Sequence, residues 1–262
     1  MKRMLDMSPE YKTKERRISL FSKAFPTVSF YCKAIIIIYK TSRIAKRNMH
    51  GRVEWSESSQ EILHAIESVG VKIEMIGIEH VKEVEGSCIF VANHMSTLET
   101  LLLPVMLLPF KDIIFIIKES LVKYPVFRHV MISTNPIVLG RTNAREDLIT
   151  VLKEGEQKLK QGKSIVVFPQ TTRSITFEPE KFNTIGVKLA KRVGVPVIPI
   201  ALKTDAWGYG KIFKDFGRID PSLTVRFAFG EPLMVKDRGT EEHNKIIEFI
   251  ENHLKEWREQ RT

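Results

Sequence analysis

Asn93, His94 and Glu99 are the residues of this 262-residue chain whose types and spacing point first to chemistry. A histidine can take up a proton near neutral pH. A carboxylate five residues on can turn back to the other ring N–H, fix the tautomer and support the imidazolium that forms. That is the histidine–acid half of a triad. No Gly-x-Ser-x-Gly elbow occurs in the chain, so no serine is set up for His94 to activate. A histidine–acid pair without a protein nucleophile points to a substrate hydroxyl as the nucleophile. Glu99 also has a structural reading: Ser96-x-x-Glu99 ahead of Leu101-Leu102-Leu103 is a capping-box signature. The spacing is not His-Glu-x-x-His and no Cys/His cluster is present, so no metal is expected.

The flanking residues say what must position the pair. Cys88 to Ala92 is a continuous apolar run, the pattern of a strand buried on both faces. Polarity changes at Asn93-His94, and a helix should begin near Ser96. A histidine just before a helix N-terminus feels the positive end of the dipole, which favours neutral imidazole. Other strand-type runs are 71–78, 112–118, 136–141, 164–168, 195–200 and 223–229. Helical patterns cover 53–69, 121–131, 143–161, 181–193 and 240–258, and Gly70, Gly162 and Gly194 mark stops. The apolar helix after Glu99 is expected to break at Pro104 and Pro109. Alternating strands and helices predict an α/β fold with a largely parallel central sheet flanked by helices. Strand tips in such sheets bind ligands. Pro196 and Pro199 argue that their strand is an edge or has an irregular end. Trp207, Tyr209, Phe213 and Phe216 punctuate the loop 204–221, as lipid contacts or as caps on the core.

Four segments, in order along 71–200, resemble the motifs of the glycerolipid acyltransferases, the 1-acylglycerol-3-phosphate acyltransferases above all. Asn93-His94-x-x-x-x-Glu99 is similar to their N-H-x-x-x-x-D motif, with Glu for Asp. Pro136 to Arg141 resembles a second motif, in which an Arg follows a hydrophobic strand. Phe168-Pro169-Gln170-Thr171-Thr172-Arg173-Ser174 is similar to F-P-E-G-T-R-S, with Gln170 for Glu and Thr171 for Gly. Val195-Pro196-Val197-Ile198-Pro199 resembles V-P-I-V-P. The resemblance implies acyl transfer from a thioester, acyl-CoA or acyl carrier protein, to the sn-2 hydroxyl of lysophosphatidic acid, with no bound cofactor. It implies that His94 acts as general base and Glu99 supports it. Arg173, whose planar fork suits a phosphate monoester, would hold the acceptor with Lys118 and Arg141. Asn93, Pro169, Gln170, Thr171, Thr172, Ser174, Val195, Pro196 and Pro199 would shape the site, and backbone N–H groups near the helix start would stabilise the oxyanion. The three departures bear on acceptor preference. Glycerol 3-phosphate or another lysophospholipid remains an alternative acceptor, a hydrolase using the same pair on water an alternative reaction, and a non-catalytic membrane- or nucleic-acid-binding protein an alternative class.

Charge is concentrated at the start. The net charge is +10, and residues 1–50 hold twelve basic and three acidic side chains. Such an arm suits anionic lipid or nucleic acid, but no nucleic-acid module follows it and none is expected as partner. Residues 18–39 are apolar and aromatic, yet Lys23, Pro26 and Lys33 interrupt them and basic residues flank both ends, which argues against a transmembrane span. Helical spacing instead puts Val28, Tyr31, Cys32, Ile35 and Tyr39 on one face and Lys33, Lys40, Arg43 and Arg47 on another. Phe25, Phe30, Tyr31, Ile35, Lys33, Lys40 and Arg43 are thus expected at a membrane surface, the cytoplasmic face of the cell membrane, held peripherally or monotopically. The competing reading is a helix packed on the domain's own core. The expected organisation is a membrane-associating helical appendage at 1–52 and a catalytic α/β domain at 53–262. Only Cys32 and Cys88 are present, which gives no disulfide framework.

Overall fold

The strand that leads into His94, β3 (Ile89–Ala92), is buried throughout and lies inside an eight-stranded sheet. The computed structural model describes residues 10–124, 127–170, 172–210 and 216–260. The sheet order is β1 (Tyr11–Lys12), β2 (Ile73–Ile76), β8 (Val225–Phe229), β7 (Val197–Lys203), β3, β6 (Ser164–Val167), β4 (Ile113–Lys118), β5 (Ile137–Leu139). From β7 to β5 all neighbours are parallel, as are β2 and β8; β7–β8 and β1–β2 are antiparallel. The C-terminal ends of β3, β4, β5, β6 and β7 therefore share one edge, where β3 releases the chain into Asn93-His94.

The helices follow from the connections. α5 (Leu98–Leu107) carries the chain from β3 towards β4, and α6 (Glu119–Lys123) and α7 (Arg128–Ser133) carry it on to β5. α8 (Ala144–Lys160) and α9 (Ile185–Val193) bring it back to β6 and β7. Right-handed crossovers in opposite directions place α5 on one face of the sheet and α8 and α9 on the other. α3 (Arg52–Glu67) packs on α5 and α2 (Pro26–Lys46) on α3, whereas α10 (Thr240–Glu259) packs on β7. The remaining helices, α1 (Leu20–Ala24) and α4 (Glu79–Glu83), are short. Gly186 of α9 lies so near β3 that an added Cβ would meet Val91 Cγ2 at 2.6 Å.

Three expectations need correction. Pro104 does not break its helix: α5 runs from Leu98 through Leu107. The proline opens the backbone ladder, and Ser59 of α3 enters the gap. Val105 N–H donates to Ser59 Oγ at 2.9 Å, and that hydroxyl donates to the Leu101 carbonyl at 2.6 Å. Second, β7 is an interior strand and not an edge, although its start is irregular: Pro196 lies just before it and Val197 meets Leu233 in an isolated bridge. Val197 exchanges both backbone bonds with Leu233, and the Pro199 carbonyl accepts from Gly230 N–H. Pro199 has no N–H to return in that pair, which lies one residue past the end of β8 at Phe229.

Third, residues 10–50 pack on the rest of the fold, the competing reading of this segment. β1 pairs with β2, and the buried Glu67 accepts from Tyr11 Oη, Thr13 Oγ1 and Arg16 Nη2 at 2.7–2.9 Å. Phe30, expected at a membrane, is fully buried and meets Trp207 edge-on at 5.0 Å. Tyr31 is half-buried and donates to the Gly217 carbonyl at 2.7 Å. Lys33 and Lys40 turn to α3, to Ser68 Oγ and Glu61 respectively, and Arg43 lies over the Tyr39 ring. The outward face of α1 and α2 is apolar instead: Leu20, Phe21, Phe25, Val28, Ile35, Ile36 and Tyr39 are exposed. Among the described residues no helix is long and apolar enough to cross a membrane.

Ser59 supplies the testable point. Ser59→Ala leaves a buried N–H and a buried carbonyl of α5 without partners, and it should cost about 1–3 kcal/mol. Urea unfolding measures this; a loss below roughly 0.5 kcal/mol would mean that the bridge carries no weight.

Candidate active site

At the tip of β3 the chain is pinned before it turns into α5. Asn93 is buried and faces β7: its amide N–H donates to the Leu202 carbonyl at 2.8 Å, and its carbonyl accepts from Leu202 N–H at 2.9 Å. His94 N–H donates to Gln170 Oε1 at 2.8 Å, and Ser174 N–H donates to the His94 carbonyl at 2.9 Å. The segment after β6 therefore grips the histidine backbone from the side opposite β7. Gln170 needs only its carbonyl for this, so it serves without adding a second negative charge beside Glu99. The imidazole stacks on Phe168 with centroids 4.3 Å apart.

His94 Nδ1 lies 2.9 Å from Glu99 Oε1. The carboxylate accepts only, so Nδ1 carries the proton and Nε2, on the opposite edge of the ring, is left as the basic nitrogen. The His94 side chain is 18% exposed and that of Glu99 fully buried. Glu99 makes the contacts that both readings require. It accepts from Met95 N–H at 2.7 Å and from Ser96 N–H at 2.8 Å, capping the entry to α5 while it orients the imidazole. Burial by itself would push its carboxyl up. The hydrogen bond and charge of His94 and the hydroxyl of Thr204 outweigh that and hold it below the ordinary 4.5, ionised at neutral pH.

Four of the N–H groups near the helix start are already engaged. The N–H groups of His94, Met95 and Ser96 go to Gln170 and Glu99, and that of Leu98 to Ser96 Oγ. Two of these donors serve the acid and the other two serve Gln170 and Ser96, so none of the four is left for an oxyanion.

The other sequence-expected residues divide by place. Arg173, half-buried, donates from Nη1 to Thr97 Oγ1, which brings its guanidinium against the loop that carries His94. Tyr209 closes in from the segment after β7 and donates to the Met95 carbonyl at 2.9 Å. Burial raises its phenol pKa, and the nearby Arg173 charge opposes the rise. Pro169 is buried under this loop and accepts from Asn183. Thr172 is exposed beside Arg173, and Thr171 lies outside the described residues. Lys118 and Arg141 are on the same sheet edge but across it. Phe90 pairs with Val166 and Val166 with Phe115, so Lys118 is level with Asn93 two strands away, roughly 10 Å. Arg141 follows β5, one strand further, with a left-handed backbone at φ 57°.

Val195, Pro196 and Pro199 do not shape the site. Val197 pairs with Ile89, so Val195 and Pro196 lie at the opposite edge of the sheet, and Pro199 stands beside Val91 in mid-strand. Conversely, Thr204 escaped the sequence reading although its hydroxyl lies 2.6 Å from Glu99 Oε2. The adjacency of β3 and β7 was needed to find it, and no local pattern announces that. Among the described residues no group of three or more His, Cys, Asp or Glu is placed to hold a metal ion.

Comparison with known proteins agrees with this geometry. A family model described as acyltransferase matches residues 72–203, half of the chain. A 1-acyl-sn-glycerol-3-phosphate acyltransferase of Pseudomonas aeruginosa is 31% identical over 132 residues, covering 50% of this chain and 49% of that protein. A protein of the same name from Borreliella burgdorferi is 25% identical over 134 residues, 51% of this chain and 52% of its own. The chain thus spans about half the length of these curated relatives. The crystal structure of the 1-acyl-sn-glycerophosphate (LPA) acyltransferase of Thermotoga maritima superposes with a TM-score of 0.65 at 24% identity, over 88% of this chain and 94% of that one. That likeness is one of fold. The matched segment runs from β2 to the end of β7 and contains the histidine, the acid and the arginine, and on that match the chain belongs to the acyltransferase family.

Proposed function

We propose that this protein transfers a fatty acyl group from a thioester, acyl-CoA or acyl carrier protein, to the sn-2 hydroxyl of lysophosphatidic acid, giving phosphatidic acid. The observation that carries the reading is the buried, ionised Glu99 bonded to His94 Nδ1, which leaves Nε2 as a base in a chain without a Gly-x-Ser-x-Gly elbow. In the proposed reaction Nε2 takes the proton of the acceptor hydroxyl as its oxygen attacks the thioester carbonyl. The C–S bond breaks, the thiolate takes the proton back from the imidazolium, and an ester and a free thiol result. Glu99 supports the transient imidazolium. Arg173, tied to Thr97 beside the histidine, suits the acceptor phosphate, and Lys118 and Arg141 add positive charge along the same edge. The names of the relatives favour lysophosphatidic acid as acceptor.

The reading also places the protein on a membrane surface, the cytoplasmic face of the cell membrane, because acceptor and product are lipids. The exposed apolar face of α1 and α2 supports this, with Lys23, Arg43, Lys46 and Arg47 exposed around it to meet anionic headgroups. Phe25 and Ile35 belong to that face; Phe30 does not.

Two experiments test the proposal. Labelled acyl thioester and lysophosphatidic acid in vesicles should yield phosphatidic acid. His94→Ala should lower kcat by about a thousandfold or more, and Arg173→Ala should chiefly raise KM for the acceptor, by about tenfold or more. A wild-type chain that makes no phosphatidic acid, or an active His94→Ala, would refute the reading. Separately, Phe25→Glu with Ile35→Glu should weaken co-sedimentation with anionic vesicles by about tenfold or more at unchanged Tm. Unaltered binding would place the membrane contact elsewhere.

A further inference from the structure

The acid of this site is held by more than the loop that carries it. Glu99 Oε1 takes His94 Nδ1 and the N–H groups of Met95 and Ser96. Oε2 points the other way, towards β7, where Thr204 Oγ1 lies 2.6 Å from it and Ser96 Oγ 2.9 Å. Both hydroxyl-bearing residues are buried, so water does not substitute for them. A carboxylate accepts only, so the single proton of Thr204 goes to Glu99. Ser96 Oγ, 2.9 Å from Thr204 Oγ1, then has Glu99 or Thr204 to donate to. The acid is glutamate where the motif it resembles carries aspartate, and the extra methylene adds about 1.5 Å of reach. That length lets one carboxylate span from the imidazole to the tip of the neighbouring strand.

Thr204 is itself fixed. Its N–H points at Met95 Sδ at 3.3 Å, and its carbonyl accepts from Trp207 N–H at 3.1 Å. Trp207 packs against Phe30 and Tyr31 of α2. Lys203 and Asp205, paired at 2.7 Å, flank it on either side. The threonine is therefore a rigid donor delivered by a different strand from the one that carries the dyad.

We propose that Thr204 is a positioning residue for the His94–Glu99 pair: its hydroxyl sets the rotation of the Glu99 carboxylate and so the direction and strength of the bond to His94. This rests on the acyltransferase reading of the site and deepens it. The charged and titratable groups that face the pair are Arg173 from the segment after β6 and Tyr209 from the segment after β7, with the Lys203–Asp205 pair beside Thr204. Thr204→Val leaves all of them in place and replaces one hydroxyl by a methyl group of similar size. Without that donor the carboxylate becomes more basic, and imidazolium beside it becomes easier to form.

The test uses the full chain with 15N-labelled histidine, in lipid vesicles for kinetics and in detergent for NMR. The His94 signal is the one lost in His94→Gln. In Thr204→Val the His94 titration midpoint should rise by roughly half a pH unit or more, and the acid limb of the kcat profile should move up with it. kcat should fall by about tenfold, with KM for the acceptor changed less than about twofold. Thr204→Ser, which keeps the hydroxyl, should restore midpoint and kcat. A Thr204→Val protein whose midpoint and kcat match wild type would overturn the proposal. So would a loss of activity and Tm with no movement of the midpoint, which is what a merely structural threonine gives. If wild type transfers no acyl group, the acyltransferase reading falls, and the titration still decides the role of Thr204.

Discussion

The burial of one negative charge organises this site. Glu99 is ionised inside the protein, and an isolated carboxylate there would cost several kcal/mol or more. It is tolerated because every direction around it holds a donor: one imidazole N–H, two backbone N–H groups at the entry to α5, and the hydroxyls of Ser96 and Thr204. These come from the loop after β3, the start of α5 and the tip of β7. Satisfying the charge therefore demands that β3 and β7 be neighbours with their tips level, and that α5 begin within a turn of His94. The order of the sheet, the parallel register of Ile89 with Val197 and the buried Asn93–Leu202 exchange all meet that demand.

Such an arrangement separates two tasks that the helix start is often asked to share. The N–H groups of Met95 and Ser96 stabilise the acid, so the dyad is organised before any substrate arrives and its cost is borne in folding. What faces outward is the imidazole edge; the Phe168 ring stacks on it, and Gln170 holds the His94 backbone. Positive charge is then distributed along one sheet edge, with Arg173 close and Lys118 and Arg141 further across. The aromatic contacts of Phe30 and Tyr31 with Trp207 make α2 continuous with the segment that carries Thr204 and Tyr209.

The chemistry was more legible in the sequence than its surroundings. Asn93, His94, Glu99, Gln170, Arg173 and Ser174 sit in short contiguous motifs at strand tips, and the structure brings them together. The buried runs at 88–92 and 164–168 gave the parallel centre for the same reason, since continuous apolar runs mean burial on both faces. What failed needed long-range information. Pro104 and Pro199 follow local rules in the sequence, yet Ser59 repairs one helix from α3, and β7 carries the other proline inside the sheet, opposite Gly230 just past the end of β8. Phe30 and Ile35 look alike in a helical pattern, and only the position of Trp207 decides which is core. Val195 and Pro196 fell away because register, which no motif encodes, sets them at the far edge of the sheet. Thr204 was missed because its partner is 105 residues away in the chain.

The central claim is that His94 and Glu99 activate a substrate hydroxyl directly, with no acyl group passing through the protein. Initial rates measured while acyl thioester and lysophospholipid are varied together test it most directly. Direct transfer requires both substrates on the enzyme at once and predicts intersecting double-reciprocal lines. Parallel lines, the mark of a covalent acyl-enzyme, would contradict the account and require a protein nucleophile.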